Sequence, residues 1–216
     1  MTRVRTADLV EALSQRAAPV RPLASPAWRS TVAIVVLAAV ATLAIILLGN
    51  SADLLARYAG RHPAMIAEMV AAGVTAVLAI VGAFALAVPG GSRRWLYAPL
   101  PSFALWVVLA GAGCFKILPS AGYSPADSAD CLLFVIVTSL AIGGPLFWRL
   151  SRAHPLDPLP VAILGGLGSA AAAALLLQFF HPFAITVEDF AVHLIAVVLV
   201  ITMFARANRK ILAPTR

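Results

Sequence analysis

The sequence predicts an all-α integral membrane protein, a single bundle of six transmembrane helices with both chain ends cytoplasmic and a short amphipathic helix near the amino terminus. Three observations predict it. The 216 residues are 62% hydrophobic and 12% charged, against roughly 45–50% and 25% in soluble domains. One soluble core of this size could not bury so much apolar surface. The apolar residues also gather into runs of about 20, the length that crosses a bilayer as a helix. Finally, the basic residues are divided unequally among the segments between those runs. The net charge of +7 would suggest a nucleic-acid partner in a soluble protein. In a membrane protein it reads first as a topology signal.

Residues 1–29 form a polar, basic tail with Arg3, Arg5, Arg16, Arg21 and Arg29. It does not read as a signal peptide, because the first apolar run starts near residue 31 and no small-residue cleavage site follows. Within the tail, Thr6 to Ala17 reads as a short amphipathic helix. Thr6 can cap it, and Leu9, Val10 and Leu13 fall on one face at helical spacing. Pro19, Pro22 and Pro26 keep the connector that follows extended. A helix this short is not stable alone. It needs either the membrane surface or another protein.

The expected spans are Thr31–Leu48, Ala64–Val88, Ala98–Leu118, Ala129–Phe147, Leu159–Phe180 and Val187–Ala205. Trp28 and Arg29 precede the first as an interfacial anchor pair. Pro99 and Pro101 fall in the first turn of the third, where proline is tolerated. Trp148 and Arg149 close the fourth. The sixth opens on the charged residues Glu188 and Asp189. With the amino terminus inside, the tail, the loop carrying Arg93 and Arg94, the loop carrying Arg149 and Arg152, and the end carrying Arg206, Arg209, Lys210 and Arg216 are all cytoplasmic. Only Arg57, Arg61 and Lys116 fall outside. This bias sets the orientation. The organisation is thus a cytoplasmic tail (1–29), a membrane domain (30–205) and a cytoplasmic carboxyl tail (206–216). Gly111 and Gly113, and Gly165, Gly166 and Gly168 before the alanine run 170–174, mark places where helix backbones can approach closely.

The two cysteines, Cys114 and Cys131, flank the hairpin between the third and fourth spans. In this orientation the hairpin faces outward, where disulfides are permitted. Three arrangements are open: a permanent staple worth about 3 kcal/mol in the chain-entropy account, a redox-responsive or metal-binding thiol pair, or two unrelated buried thiols. On the same side lie His181, Glu188, Asp189 and His193. Asp189 and His193 are spaced i,i+4 and share a helix face. Ionisable groups at such depth usually face the bundle interior. Thiolates, imidazoles and carboxylates together could hold a soft metal ion, although no local ligand motif occurs. The plainer readings are a helix-end role for His181 and a packing role for His193, hydrogen-bonded to Asp189 or a carbonyl. His62 and His154 precede prolines in loops and read as solvent-facing.

Catalysis is not expected. The chain has no phosphate-cradling glycine loop, no Ser-His-Asp arrangement, no C-x-x-C pair for thiol oxidation and no chain of intramembrane acids. Glu68 is the only acid well within the second span.

The tail sequence Thr6-Ala7-Asp8-Leu9-Val10-Glu11-Ala12-Leu13, then Ala18-Pro19-Val20-Arg21-Pro22-Leu23 and Trp28-Arg29, leads into the first span. Further on come Val88-Pro89-Gly90, Arg93-Arg94-Trp95, Trp106, Gly113-Cys114, Cys131, His181-Pro182 and His193. In this order, around six spans and over nearly the whole chain, these residues resemble the NrsF-like family of membrane-bound anti-sigma factors. The resemblance implies a protein of the bacterial inner membrane that sequesters an extracytoplasmic-function sigma factor. It further implies that an external oxidant or heavy metal acts through cysteines, here Cys114 and Cys131, to release it. Leu9, Val10 and Leu13 would be the apolar anchors of the sigma-binding tail, and the basic residues would meet acidic patches of the sigma factor or anionic lipid. The competing reading is a small transporter or channel subunit for a metal or solute, entered through His193, Asp189 and the cysteines. A membrane enzyme is a weaker third reading.

Overall fold

The computed structural model describes residues 6–15, 23–49, 63–114, 125–180 and 187–211. Every regular element among them is helical: α1 (Thr6–Gln15), α2 (Pro26–Leu48), α3 (Pro63–Leu86), α4 (Arg94–Tyr97), α5 (Leu100–Cys114), α6 (Pro125–Ser151), α7 (Pro158–Phe180) and α8 (Val187–Ile211).

Local chemistry sets the helix starts. α2, α3, α6 and α7 each open on proline. Its missing N–H falls among the donors a first turn leaves unpaired, and its fixed φ suits that position. Ser25 caps α2: its Oγ accepts from the Trp28 N–H at 3.2 Å and its carbonyl from the Arg29 N–H at 3.0 Å. Between α3 and α4 the chain reverses through Gly90, at φ +82°, a conformation glycine adopts without steric cost.

Five segments are long and apolar enough to cross a membrane, by length and composition: Pro26–Leu48, Ile66–Leu86, Arg94–Ala112, Leu132–Ser151 and Pro158–Phe180. They correspond to the first five expected runs. The third begins a turn earlier than expected. α4 precedes Pro99, and the Phe103 N–H donates to the Pro99 carbonyl at 2.9 Å, which carries helical bonding into α5. Residues 115–118 of that expected span lie outside the described residues. In α8 the apolar stretch among the described residues is Leu194–Ala207.

α7 is the axis of the bundle. It packs on α3 along one side and on α6 and α8 along the other, while α2 leans on α3, and α5 lies between α3 and the start of α8. Two glycines make α7's contacts close. A Cβ at position 168 would lie 2.8 Å from Ile80 Cγ1 of α3, and one at position 166 would lie 3.0 Å from Ile201 Cα of α8. Lipid tails are as apolar as side chains, so helix association in a bilayer rests on such close packing. Ala79, Ile80, Ala83, Phe84, Leu164, Leu167, Val200 and Phe204 fill the centre. The perimeter exposes Val35, Val40, Ile46, Leu105, Val108, Leu133, Val137 and Val198. An apolar exterior this continuous suits lipid rather than water.

Candidate functional site

α1 buries no residue. Leu9, Val10 and Leu13 are 52%, 60% and 61% exposed, and their i, i+1, i+4 spacing puts them on one stripe. The helix is held by its own bonds. Ser14 Oγ donates to the Glu11 carbonyl at 2.8 Å, and Gln15 Nε2 donates to Glu11 Oε1 at 3.1 Å. Asp8 lies in the first turn, where its charge complements the helix dipole. The helix begins at Thr6 as expected, and residues 16–17 of the expected helix lie outside the described residues.

The tail enters the bundle at α2, and Arg29 is the joint. Its Nη2 donates to the Arg149 carbonyl at 2.8 Å. That carbonyl belongs to the last turn of α6, where no intrahelical N–H is due, and a cation there also meets the negative end of the helix dipole. The guanidinium carbon lies 5.1 Å from the centroid of the Phe84 ring on α3, a cation–π distance. Nη1 is buried without a hydrogen-bond partner, so the ring supplies part of what desolvation removes. One arginine thus ties α2, α3 and α6 together.

The other described arginines share this end of the bundle. Arg93 Nη2 lies 3.6 Å from Asp157 Oδ2 with both side chains largely exposed, a pair of little energetic weight. The Arg152 guanidinium lies 3.8 Å from the Trp148 ring centroid. Arg206 follows Phe204, whose ring meets Phe147 edge-on at 5.6 Å. An open apolar groove lined by Pro26, Ala27, Val88, Pro89 and Trp95 runs beside the entry of the tail. The result is a basic end of the bundle, at which α2, the helix that follows the tail, begins.

The elements carrying the other candidate residues converge at the opposite end. Gly111 of α5 faces Phe190 of α8, where an added Cβ would lie 3.7 Å from the ring. Phe134 of α6 and Phe180 of α7 have ring centroids 6.0 Å apart. Cys114 is the last residue of α5 and Cys131 lies in the second turn of α6, while Glu188, Asp189 and His193 occupy the first two turns of α8. The side chains of these five, and His181 altogether, lie outside the described residues. Among the described residues no three His, Cys, Asp or Glu are grouped to hold a metal ion.

A pairing that periodicity did not reveal lies near the same end. Gln178 Nε2 donates to Glu68 Oε1 at 3.2 Å, and Glu68 is only 9% exposed. One level deeper, Thr75 Oγ1 donates to the Ala71 carbonyl at 2.7 Å and lies 3.0 Å from Ser102 Oγ. Glu68 stood out in the sequence as an intramembrane acid. Gln178, the polar residue that interrupts the apolar end of α7, was the signal for its partner.

No curated protein and no solved structure matches the chain. A family model described as negative regulator of sigma F matches residues 13–213. The match spans the connector, every described helix of the bundle and the intervening segments. With nearly its whole length covered, the chain belongs to the NrsF family, the negative regulators of sigma F.

Proposed function

We propose that the protein is a membrane-bound anti-sigma factor of the bacterial inner membrane. It crosses the bilayer six times with both ends cytoplasmic, holds an extracytoplasmic-function sigma factor through α1, and releases it on an external signal. The observation that carries this reading is α1 itself. It is a helix with a stripe of three largely exposed apolar side chains, joined to a bundle whose described arginines gather at the end where the tail enters. An amphipathic helix of this kind docks in an apolar groove of a partner, read through residues at i and i+4 spacing. Leu9, Val10 and Leu13 are the proposed anchors. The arginines at the basic end would meet acidic surface on the sigma factor or anionic lipid. The role is regulatory rather than enzymatic.

α6 is the natural conduit for the signal. It runs from Cys131 to the Arg149 carbonyl that holds Arg29. Pro145 lies between them and leaves the Ala141 carbonyl without an i+4 donor, a soft point in the helix. Oxidation or metal capture at Cys114 and Cys131, with His181, Glu188, Asp189 and His193 as further donors, would favour one packing of α6 and change how α2 and the tail are presented. The transporter reading requires a polar path through the bundle. Among the described residues, the buried side chains of α3 below Thr75, with Ala79, Ala83 and Phe84 among them, are apolar. Affinity purification of the membrane-extracted protein from its native cells, with and without residues 1–29, tests the assignment. A sigma factor recovered only with the intact tail supports it, and transport subunits in its place refute it.

A further inference from the structure

A second apolar groove, of about 280 Å³, is lined by α2, α3, α6 and α7. α3 and α7 pack on each other, α2 packs on α3, and α6 packs on α7. α2 and α6 are therefore its walls, and α3 and α7 its floor. Ile34, Ala38, Ala41 and Ile45 line it from α2, and Ile142 lines it from α6. The groove exists because α2 meets the bundle near one end. Its buried residues, Ser30 and Ala33, lie within its first eight, and the helix beyond them leaves a gap.

The basic end closes this groove with positive charge. There Arg29 Nη2 bridges the two walls by its 2.8 Å bond to the Arg149 carbonyl. Arg149 lies seven residues beyond Ile142, on the same stripe of α6 and about 10 Å nearer that end. A tryptophan precedes each arginine. Trp28 on α2 and Trp148 on α6 are 63% and 55% exposed, and such rings settle at the headgroup level of a bilayer. The groove thus starts beneath an interfacial pair of guanidinium groups, which bind phosphate through several N–H donors at once.

Depth and volume identify the occupant. Ile34 to Ala41 lie about 8–18 Å below Arg29 along α2, and one leaflet of hydrocarbon is about 15 Å deep. A water-sized group takes up about 10–15 Å³ of such space, so the groove holds about twenty of them. That is the size of one acyl chain, and far less than a helix of a second copy would need. We infer that the groove between α2 and α6 holds one acyl chain of an anionic phospholipid, whose phosphate is bound by Arg29 and Arg149. The lipid fills the gap that α2 leaves and lies directly under the bond that fastens α2 to α6. The inference does not depend on the sigma-factor assignment, since binding is read on the purified protein alone.

The test is native mass spectrometry of the full-length protein in nonionic detergent, with palmitoyl-oleoyl phosphatidylglycerol or the phosphatidylcholine of the same chains added. The expected result is one phosphatidylglycerol retained at least fivefold more strongly than phosphatidylcholine. Arg149→Gln, which keeps the main-chain oxygen that holds Arg29, should reduce that preference to less than twofold. Ala41→Phe should lower retention of both lipids at least fivefold, because a helical side chain leans toward the amino terminus and the ring would fill the groove beside Ala38. Helical content and elution volume check that both variants fold. Equal retention of the two lipids by the unaltered protein, or phosphatidylglycerol retention unchanged by either substitution, would overturn the inference. So would a dimer that Ala41→Phe abolishes, since the groove would then belong to a second copy of the chain.

Discussion

Arg29 Nη2 donates to the main-chain oxygen of Arg149 at 2.8 Å, across 120 residues of sequence. The bond caps the carboxyl end of α6 with a side chain from the first turn of α2. It fastens the helix that follows the tail to the helix that begins near Cys131.

Arg29→Ala should therefore detach the base of α2. It removes a charge-assisted bond and a cation–π contact, and the partial exposure of the guanidinium limits the loss to about 1–2 kcal/mol. The expected readout is a lower melting temperature in detergent together with faster proteolysis near Ser25. Arg29→Lys can reach the carbonyl but cannot stack as a plane, and should fall between the two. An Arg29→Ala protein that melts and digests like the parent would show the joint to be incidental.

Gly166 of α7 and Gly73 of α3 make a sharper contrast. Gly166→Ala places a methyl 3.0 Å from the Ile201 backbone, which cannot rotate away, whereas at Gly73 the nearest atom is Leu175 Cδ2 at 3.5 Å. Gly166→Ala should cost about 1–3 kcal/mol by overpacking. Gly73→Ala should be neutral or slightly stabilising, since alanine favours the helix. Thermal melts of the two variants side by side check this, and equal melting would remove α7 from its place as the close-packed axis.

Phe204→Ala should open a void against Phe147 and Gly143, which the Phe204 ring contacts closely. The expected loss is about 2 kcal/mol, below the 3–5 kcal/mol usual for soluble cores, because the lost contacts are packing contacts and lipid is no less apolar than the core. Denaturation in mixed micelles measures it.

The helices were legible where their causes are local. Prolines, Ser25 and runs of apolar residues specify starts and lengths, so α1, α2, α3, α6 and α7 begin within a few residues of where the sequence placed them or their spans. The split of α4 from α5 was not legible, because Pro99 and Pro101 were both assigned to one first turn, whereas Pro99 lies at the junction and Pro101 in the first turn of α5. The two most informative polar contacts, Arg29 with Arg149 and Gln178 with Glu68, join residues 120 and 110 positions apart. Periodicity tells which face of a helix is apolar but not which helix it meets, so neither partner could be chosen from the sequence. The stripe Leu9, Val10, Leu13 was legible because it lies within one helix.

The orientation and the thiols can be tested together. In spheroplasts treated with a reductant, a membrane-impermeant maleimide should label Cys131 or Cys114. A cysteine introduced at Ser14 should react only after the membrane is opened. If the sensing proposal holds, Cys114→Ser with Cys131→Ser should keep the sigma factor bound when cells are challenged with an oxidant or cadmium. Normal release by the double variant would remove the thiols from the mechanism, and labelling at Ser14 in sealed spheroplasts would invert the topology.

The central claim is that α1 holds a sigma factor, and the most direct measurement is co-purification of that sigma factor with the full-length protein carrying Leu9→Asp and Leu13→Asp. Both positions are largely exposed, so the substitutions should leave the bundle and its membrane insertion intact. The prediction is that the unaltered protein retains the sigma factor through detergent extraction, while the double variant loses it by tenfold or more and the regulon is derepressed. Undiminished recovery with a normally inserted double variant would contradict the account.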